Sequence, residues 1–128
     1  MYSKKGFTLF EIIIVGVFLS LLVILFFVQK ANIDAMNRDE HRKTAINAMY
    51  YALEEGFFTE NGYYPEQISE KNLKVIDPEL FTDPTGINLG SEGSDYEYQP
   101  GNCDDGKCKE YILRAKLEKE NDFIKKNR

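Results

Sequence analysis

The chain has 128 residues, enough for one domain with a modest core, and a formal charge of −5 at neutral pH. An acidic balance argues against a general nucleic-acid-binding surface, which would be basic. One histidine and two cysteines leave little material for a metal site.

The apolar residues are unevenly spread. Ile12 to Val28 carries no charge and is broken only by Gly16 and Ser20. The chain is polar beyond it, so two solvents are implied: lipid for the first part, water for the rest. Lys4 and Lys5 are the only charges before the run, apart from Glu11 at its start; without residues 1–5, 14 basic residues face 21 acidic ones.

Three readings compete for residues 1–28. A secretory signal peptide would have the basic start, but it needs a small-residue cleavage site after the apolar stretch. Here the stretch runs into Val28-Gln29-Lys30 instead. A plain transmembrane anchor fits the length, because Phe7 to Val28 would span about 33 Å as a helix. It would leave Lys4 and Lys5 in the cytoplasm and the body outside. An anchor gives no use for Glu11, a carboxylate that costs roughly 2.5 kcal/mol or more deep in lipid.

The third reading rests on Lys4-Lys5-Gly6, then Phe7-Thr8-Leu9-Phe10-Glu11, then the apolar run. This pattern resembles the type IV pilin and pseudopilin family. The resemblance implies a leader, residues 1–6, cut between Gly6 and Phe7 by a membrane-embedded aspartyl prepilin peptidase. The same enzyme would methylate the new amine of Phe7. Residues 7–28 would wait in the membrane and then enter a filament core, where Glu11 would offset the Phe7 amine of a neighbouring subunit. A buried pair of that kind favours one register over others. Family helices often carry a mid-run Gly and a Pro near the end, which permit local melting. The corresponding residues here are Ser20 and Val28, so the helix is expected either to stay more continuous or to melt elsewhere; Gly16 is the one helix-weakening residue inside the run, by about 1 kcal/mol.

Residues 29–56 continue the helix. Gln29 to Thr44 is polar on nearly all sides, and the spacings Asp34–Arg38 and Asp39–Lys43 predict an exposed helix with i,i+4 pairs. Ala45, Ile46, Met49, Ala52, Leu53 and Phe57 then form an apolar face to pack on a sheet. Gly56 is the expected stop. A helix from Phe7 to Glu55 would measure about 73 Å.

Residues 57–118 read as a loop-rich β head. Asn61-Gly62 and Pro65 predict a turn, as do Asp83-Pro84-Thr85-Gly86. The order NGYYP, D-P-x-G, Tyr96-Glu97-Tyr98 is similar to pseudopilin and Gram-positive-type pilin heads. Tyr96 to Tyr98 and Tyr111 to Leu117 predict strands, antiparallel across a loop from Pro100 to Glu110. The fold class is therefore α+β, a long helix packed on a small antiparallel sheet. Residues 119–128 are mostly charged and predict a frayed tail.

Cys103 and Cys108 favour a disulfide in an exported domain, since zinc would need two further ligands. The resemblance implies that calcium could bind in a C-terminal loop, as it can in major pseudopilins, with Asp104 and Asp105 contributing; two carboxylates fall short of the about six to eight oxygens calcium takes. A solvated acidic turn is the plainer reading. His41 lies in the charged helical stretch and Ser20 in the apolar run, and no catalytic frame is visible. No enzyme activity and no cofactor are expected.

The resemblance implies a structural filament subunit for adhesion, twitching motility or DNA uptake. Its partners would be copies of itself, prepilin peptidase, the inner-membrane assembly platform, minor pilins and, before assembly, the membrane. DNA would be a partner only in a competence system. It would begin as a single-pass precursor in the cytoplasmic membrane, head outside, and end in an extracellular or periplasmic filament. The alternatives are a pseudopilin of a type II secretion or competence system and, more remotely, a membrane-anchored binding domain.

Overall fold

A computed structural model describes residues 6–128; of the leader, residues 1–5 with Lys4 and Lys5 lie outside the described residues. The chain divides into two compact units, residues 1–34 and 35–128.

Within the first unit, helix α1 (Leu9–Tyr51) begins at Leu9. Every large apolar side chain from Phe7 to Val28 is exposed, none below 48%. By length and composition this segment can cross a membrane. Gly16 does not break it, and Ser20 Oγ donates to the Val17 carbonyl at 2.7 Å, satisfying the hydroxyl within the helix.

The second unit is a helix on a small sheet. Ala45, Ile46 and Met49 of α1 are fully buried, as the apolar spacing predicts. They meet Tyr96, Tyr111, Leu113 and Ala115 from the sheet. The sheet has β1 (Tyr64–Pro65), β2 (Tyr96–Asp104), β3 (Lys107–Ala115) and β4 (Phe123–Lys126), all paired antiparallel to the central β3. Alternation along β3 buries Tyr111, Leu113 and Ala115 and leaves Ile112 and Arg114 on the other face.

Four expectations are corrected. Gly56 does not stop the helix. Residues Ala52–Phe57 form a wider π turn, and α2 (Phe58–Asn61) follows. The wide turn brings both Leu53 and Glu54, neighbours in sequence, to the buried side. The stop is Gly62, whose left-handed φ of 75° lets its N–H reach the Phe58 carbonyl at 2.7 Å.

The stretch from Pro100 to Glu110 is not a loop. β2 and β3 run in register to Asp104↔Lys107, leaving only Asp105-Gly106 as the turn. Both residues have positive φ, 49° and 75°, the hairpin geometry that matches strand twist. The charged tail is not frayed, because β4 pairs with β3 from Ile112↔Lys126 to Ala115↔Phe123. Pairing satisfies its backbone, and Phe123 packs against the core.

Finally, Gln29 to Thr44 is not exposed on all sides. Ala35, Asp39 and Arg42 are buried. Asp39 does not serve as the i,i+4 partner of Lys43, which bonds Glu40 and Glu120 instead. Arg38 binds Glu118 through two hydrogen bonds of 2.7 Å each. The partners are thus an i,i+3 neighbour, Glu40, together with the distant Glu118 and Glu120.

Candidate processing and assembly site

The candidate site is the start of α1. Gly6, Phe7 and Thr8 are non-helical, and Phe7 is 77% exposed. Nothing lies within 4 Å of where a Gly6 side chain would stand, so no neighbour in the described chain requires glycine there. A steric requirement for glycine would have to come from outside the described residues.

Thr8 is the N-cap. Its Oγ1 accepts from the Glu11 N–H at 3.3 Å, and its carbonyl accepts from the Ile12 N–H at 3.2 Å. Glu11 is the third residue after the cap, so Thr8-x-x-Glu11 has the spacing of a capping box. The carboxylate also stands in the first turn, at the positive end of the helix dipole. A plain anchor thus has a local use for Glu11, which composition alone conceals. The capping signature was readable in the sequence.

The other singled-out residues lie in the head. Cys103 and Cys108 form a disulfide that ties β2 to β3 across the ladder rather than closing a loop. Asp104 ends β2 and Asp105 occupies the turn, both exposed. Asp105 serves the hairpin through its left-handed backbone. Among the described residues no group of three or more His, Cys, Asp or Glu is arranged to hold a metal ion. His41 is exposed.

Two polar clusters in the head were not anticipated. In the first, Arg42 is 1% exposed. It donates to Asp83 at 2.6 and 3.2 Å, to Asp95 at 2.9 Å, to Glu118 at 3.0 Å and to Asp39 at 3.2 Å. Asp39 also accepts from the Glu118 and Lys119 N–H groups, at 2.9 and 2.8 Å. Asp83 and Asp95 are the two ends of the segment before β2, and Glu118 follows β3. One guanidinium therefore fixes both connections to α1. Hydrogen bonding to Asp83, opposed by burial, raises Arg42 above its ordinary pKa.

Burial alone would raise the Asp83 carboxyl, but hydrogen bonds from Arg42 and Thr85 outweigh it and hold the group below the ordinary value. Hydrogen bonds from Arg38, against some desolvation, and from Arg42 lower Glu118 to about 2. Both folded pKa values are depressed, so their stabilisation is complete above the ordinary carboxylate range. It is lost as pH falls through the folded values. The melting temperature of the head is therefore expected to fall between the ordinary Glu value of 4.5 and about pH 2. A thermal melt series across that range checks this, and a flat profile would contradict it.

The second cluster is the buried Glu54 carboxylate, which accepts from Tyr111 Oη at 2.8 Å and Tyr64 Oη at 3.1 Å. Burial, then the nearby Glu54 charge, pushes the Tyr64 phenol up to about 12, so it stays a donor. Burial and Glu54 raise Tyr111 as well. Tyr111→Phe removes one donor from a buried carboxylate and is expected to cost about 1–3 kcal/mol in denaturant unfolding.

The sheet edges are poor templates for association. On β2 the Tyr96 N–H is taken by Ser94 Oγ at 3.1 Å, Pro100 has no N–H, and Asn102 is left-handed. The other long edge is covered by a four-residue strand bearing Lys125 and Lys126.

Comparison of the chain with protein-family models, curated proteins and solved structures finds no match. The class is defined by architecture: an α+β chain with a long N-terminal apolar helix and a small antiparallel sheet. That architecture is compatible with a pilin-like subunit.

Proposed function

We propose that the chain is a structural subunit of a type IV pilus-like filament, cut between Gly6 and Phe7 and polymerised through residues 7–28. The observation that carries this reading is the apolar segment itself. It is exposed throughout and has a single carboxylate in its first turn, four residues from the amine that cutting would create at Phe7. Exposed apolar surface of this extent needs lipid or other copies to cover it. Cutting would place a positive charge at Phe7, and covering both charges without pairing them is unfavourable. Pairing Glu11 of one copy with Phe7 of the next removes that penalty and sets the axial step. The blunted sheet edges support assembly through the helix rather than by strand addition.

A pseudopilin in a short periplasmic filament is the second reading. It draws on the NGYYP and Asp83-Pro84-Thr85-Gly86 segments, each with a left-handed glycine, Gly62 and Gly86. Both readings share processing and helix-mediated assembly and differ in fibre length and place.

Shearing cells that express the chain and imaging the released material tests the proposal. Long fibres labelled by antibody to the head are expected for a pilus subunit. Fibres confined to the periplasm would favour the second reading. No fibres in either place, with the chain dispersed in the membrane, would contradict both.

A further inference from the structure

Cys103 and Cys108 stand directly opposite each other on β2 and β3, with the pair Asp104↔Lys107 between them and the turn. Their surroundings differ. Cys103 is exposed, whereas Cys108 has no exposed surface. Asp104 and Asp105 follow Cys103 in the chain, and Lys107 and Lys109 flank Cys108. One half of the bond thus lies at the surface beside two carboxylates, and the other half lies inside with a lysine on either side in the strand.

The end of the hairpin is also closed without this bond. Asn102, left-handed with a φ of 51°, donates from Nδ2 to Glu110 Oε1 across the strands. Gly101 makes room for that contact, since a Cβ there would stand 2.7 Å from Glu110 Cγ. The turn is fixed by its own two left-handed residues, and the ladder runs on to Tyr96↔Ala115. There Tyr111, Leu113 and Ala115 anchor β3 in the core. A loop this short, already ordered as a hairpin, gains little from covalent closure.

We propose that the disulfide is a one-sided thiol-exchange site: a low-molecular-mass thiol attacks Cys103, forms a mixed disulfide there and releases Cys108, while the head stays folded. The step balances. The thiolate gives an electron pair to Cys103 Sγ as the S–S bond breaks, and Cys108 Sγ leaves with the bonding pair as a thiolate. The incoming sulfur is oxidised and Cys108 is reduced, so no other oxidant or reductant enters. Access sets the direction. The nucleophile must approach along the S–S axis from the side away from the leaving sulfur. Cys103 is open to solvent for that approach, and Cys108 is not. At the leaving sulfur, burial opposes a thiolate while Lys107 and Lys109 favour it; that balance governs the rate and not the side. Asp104 and Asp105 favour a neutral or cationic thiol over an anionic one.

The test exposes the full-length chain in detergent to cysteamine, a small cationic thiol, quenches with N-ethylmaleimide and maps both cysteines by peptide mass. The cysteamine adduct is expected on Cys103 and the alkylated thiol on Cys108, outweighing the reverse arrangement by about tenfold or more. Cys108 can close the bond again, so chains with a single cysteine give a second readout. The thiol left in Cys108→Ala should react with a chromogenic aromatic disulfide about tenfold or more faster than the thiol left in Cys103→Ser. The near-ultraviolet signal of the tyrosines should stay native in the reduced chain. Adducts shared evenly or found on Cys108, equal reactivity of the two single-cysteine chains, or exchange that begins only in denaturant overturns the proposal. A tyrosine signal lost on reduction overturns it as well, because the fold would then depend on the bond.

Discussion

Replacing Arg42 with Met is expected to lower the stability of the head by about 3–5 kcal/mol, because it leaves carboxylates buried without their cation. Asp83 has no exposed side-chain surface and Asp39 has 3%. Each would have to take up a proton, find water or move out. Moving out would detach the segment before β2 and the connection after β3 from α1. In a domain of this size the melting temperature should drop by about 15 °C or more. Arg42→Lys should recover only part of the loss, since an ammonium cannot reproduce the two-pronged bond to Asp83. The acid-dependent part of the melting profile should shrink in both variants. Thermal unfolding of the full chain in detergent at neutral and acidic pH checks all three. A loss below about 1 kcal/mol would mean that the cluster is no more than a surface ion pair.

The second large effect concerns Glu11. Glu11→Ala removes the charge and the third position of the capping box together. Glu11→Gln removes the charge and keeps a side chain suited to that position. If the carboxylate serves assembly, both variants are inserted and cut normally but yield few or no fibres, a loss of about tenfold or more in sheared material. If it serves only to start the helix, Glu11→Gln assembles like the natural chain and Glu11→Ala is impaired. Quantifying released fibres beside processed chain in the membrane separates the two. Normal fibres from Glu11→Gln would remove the assembly role.

The fold was largely legible because its main signals are local. The uncharged run from Ile12 to Val28, the helical spacing of Ala45, Met49 and Leu53, and the alternation from Tyr111 to Ala115 each predict an element that the structure contains. The turns at Gly62 and Gly86 follow from the need for a left-handed residue. What was hidden was non-local. Arg42 meets Asp83 across 41 positions, and Asp39 meets the Lys119 N–H across 80. No periodicity marks such partners, so charged residues on α1 resemble a solvated face. β4 was masked by its lysines, which suit an edge strand as well as a tail. Asp105-Gly106 carries a hairpin signal, but the Gly and Asp residues spread from Gly101 to Gly106 resemble a longer loop.

At the candidate site the balance differs. Gly6, Phe7 and Glu11 stand out in the sequence because a basic leader, a glycine and a lone carboxylate flank an apolar run. Thr8 is marked more faintly, by the capping-box spacing Thr8-x-x-Glu11, and the structure contains the bond from the Glu11 N–H that this spacing implies.

The most direct test is the intact mass of the chain recovered from membranes and from sheared fibres. Processing between Gly6 and Phe7 predicts a chain that has lost residues 1–6 and begins with a methylated Phe7, in the fibres above all. A chain that keeps Met1 in both fractions would contradict it.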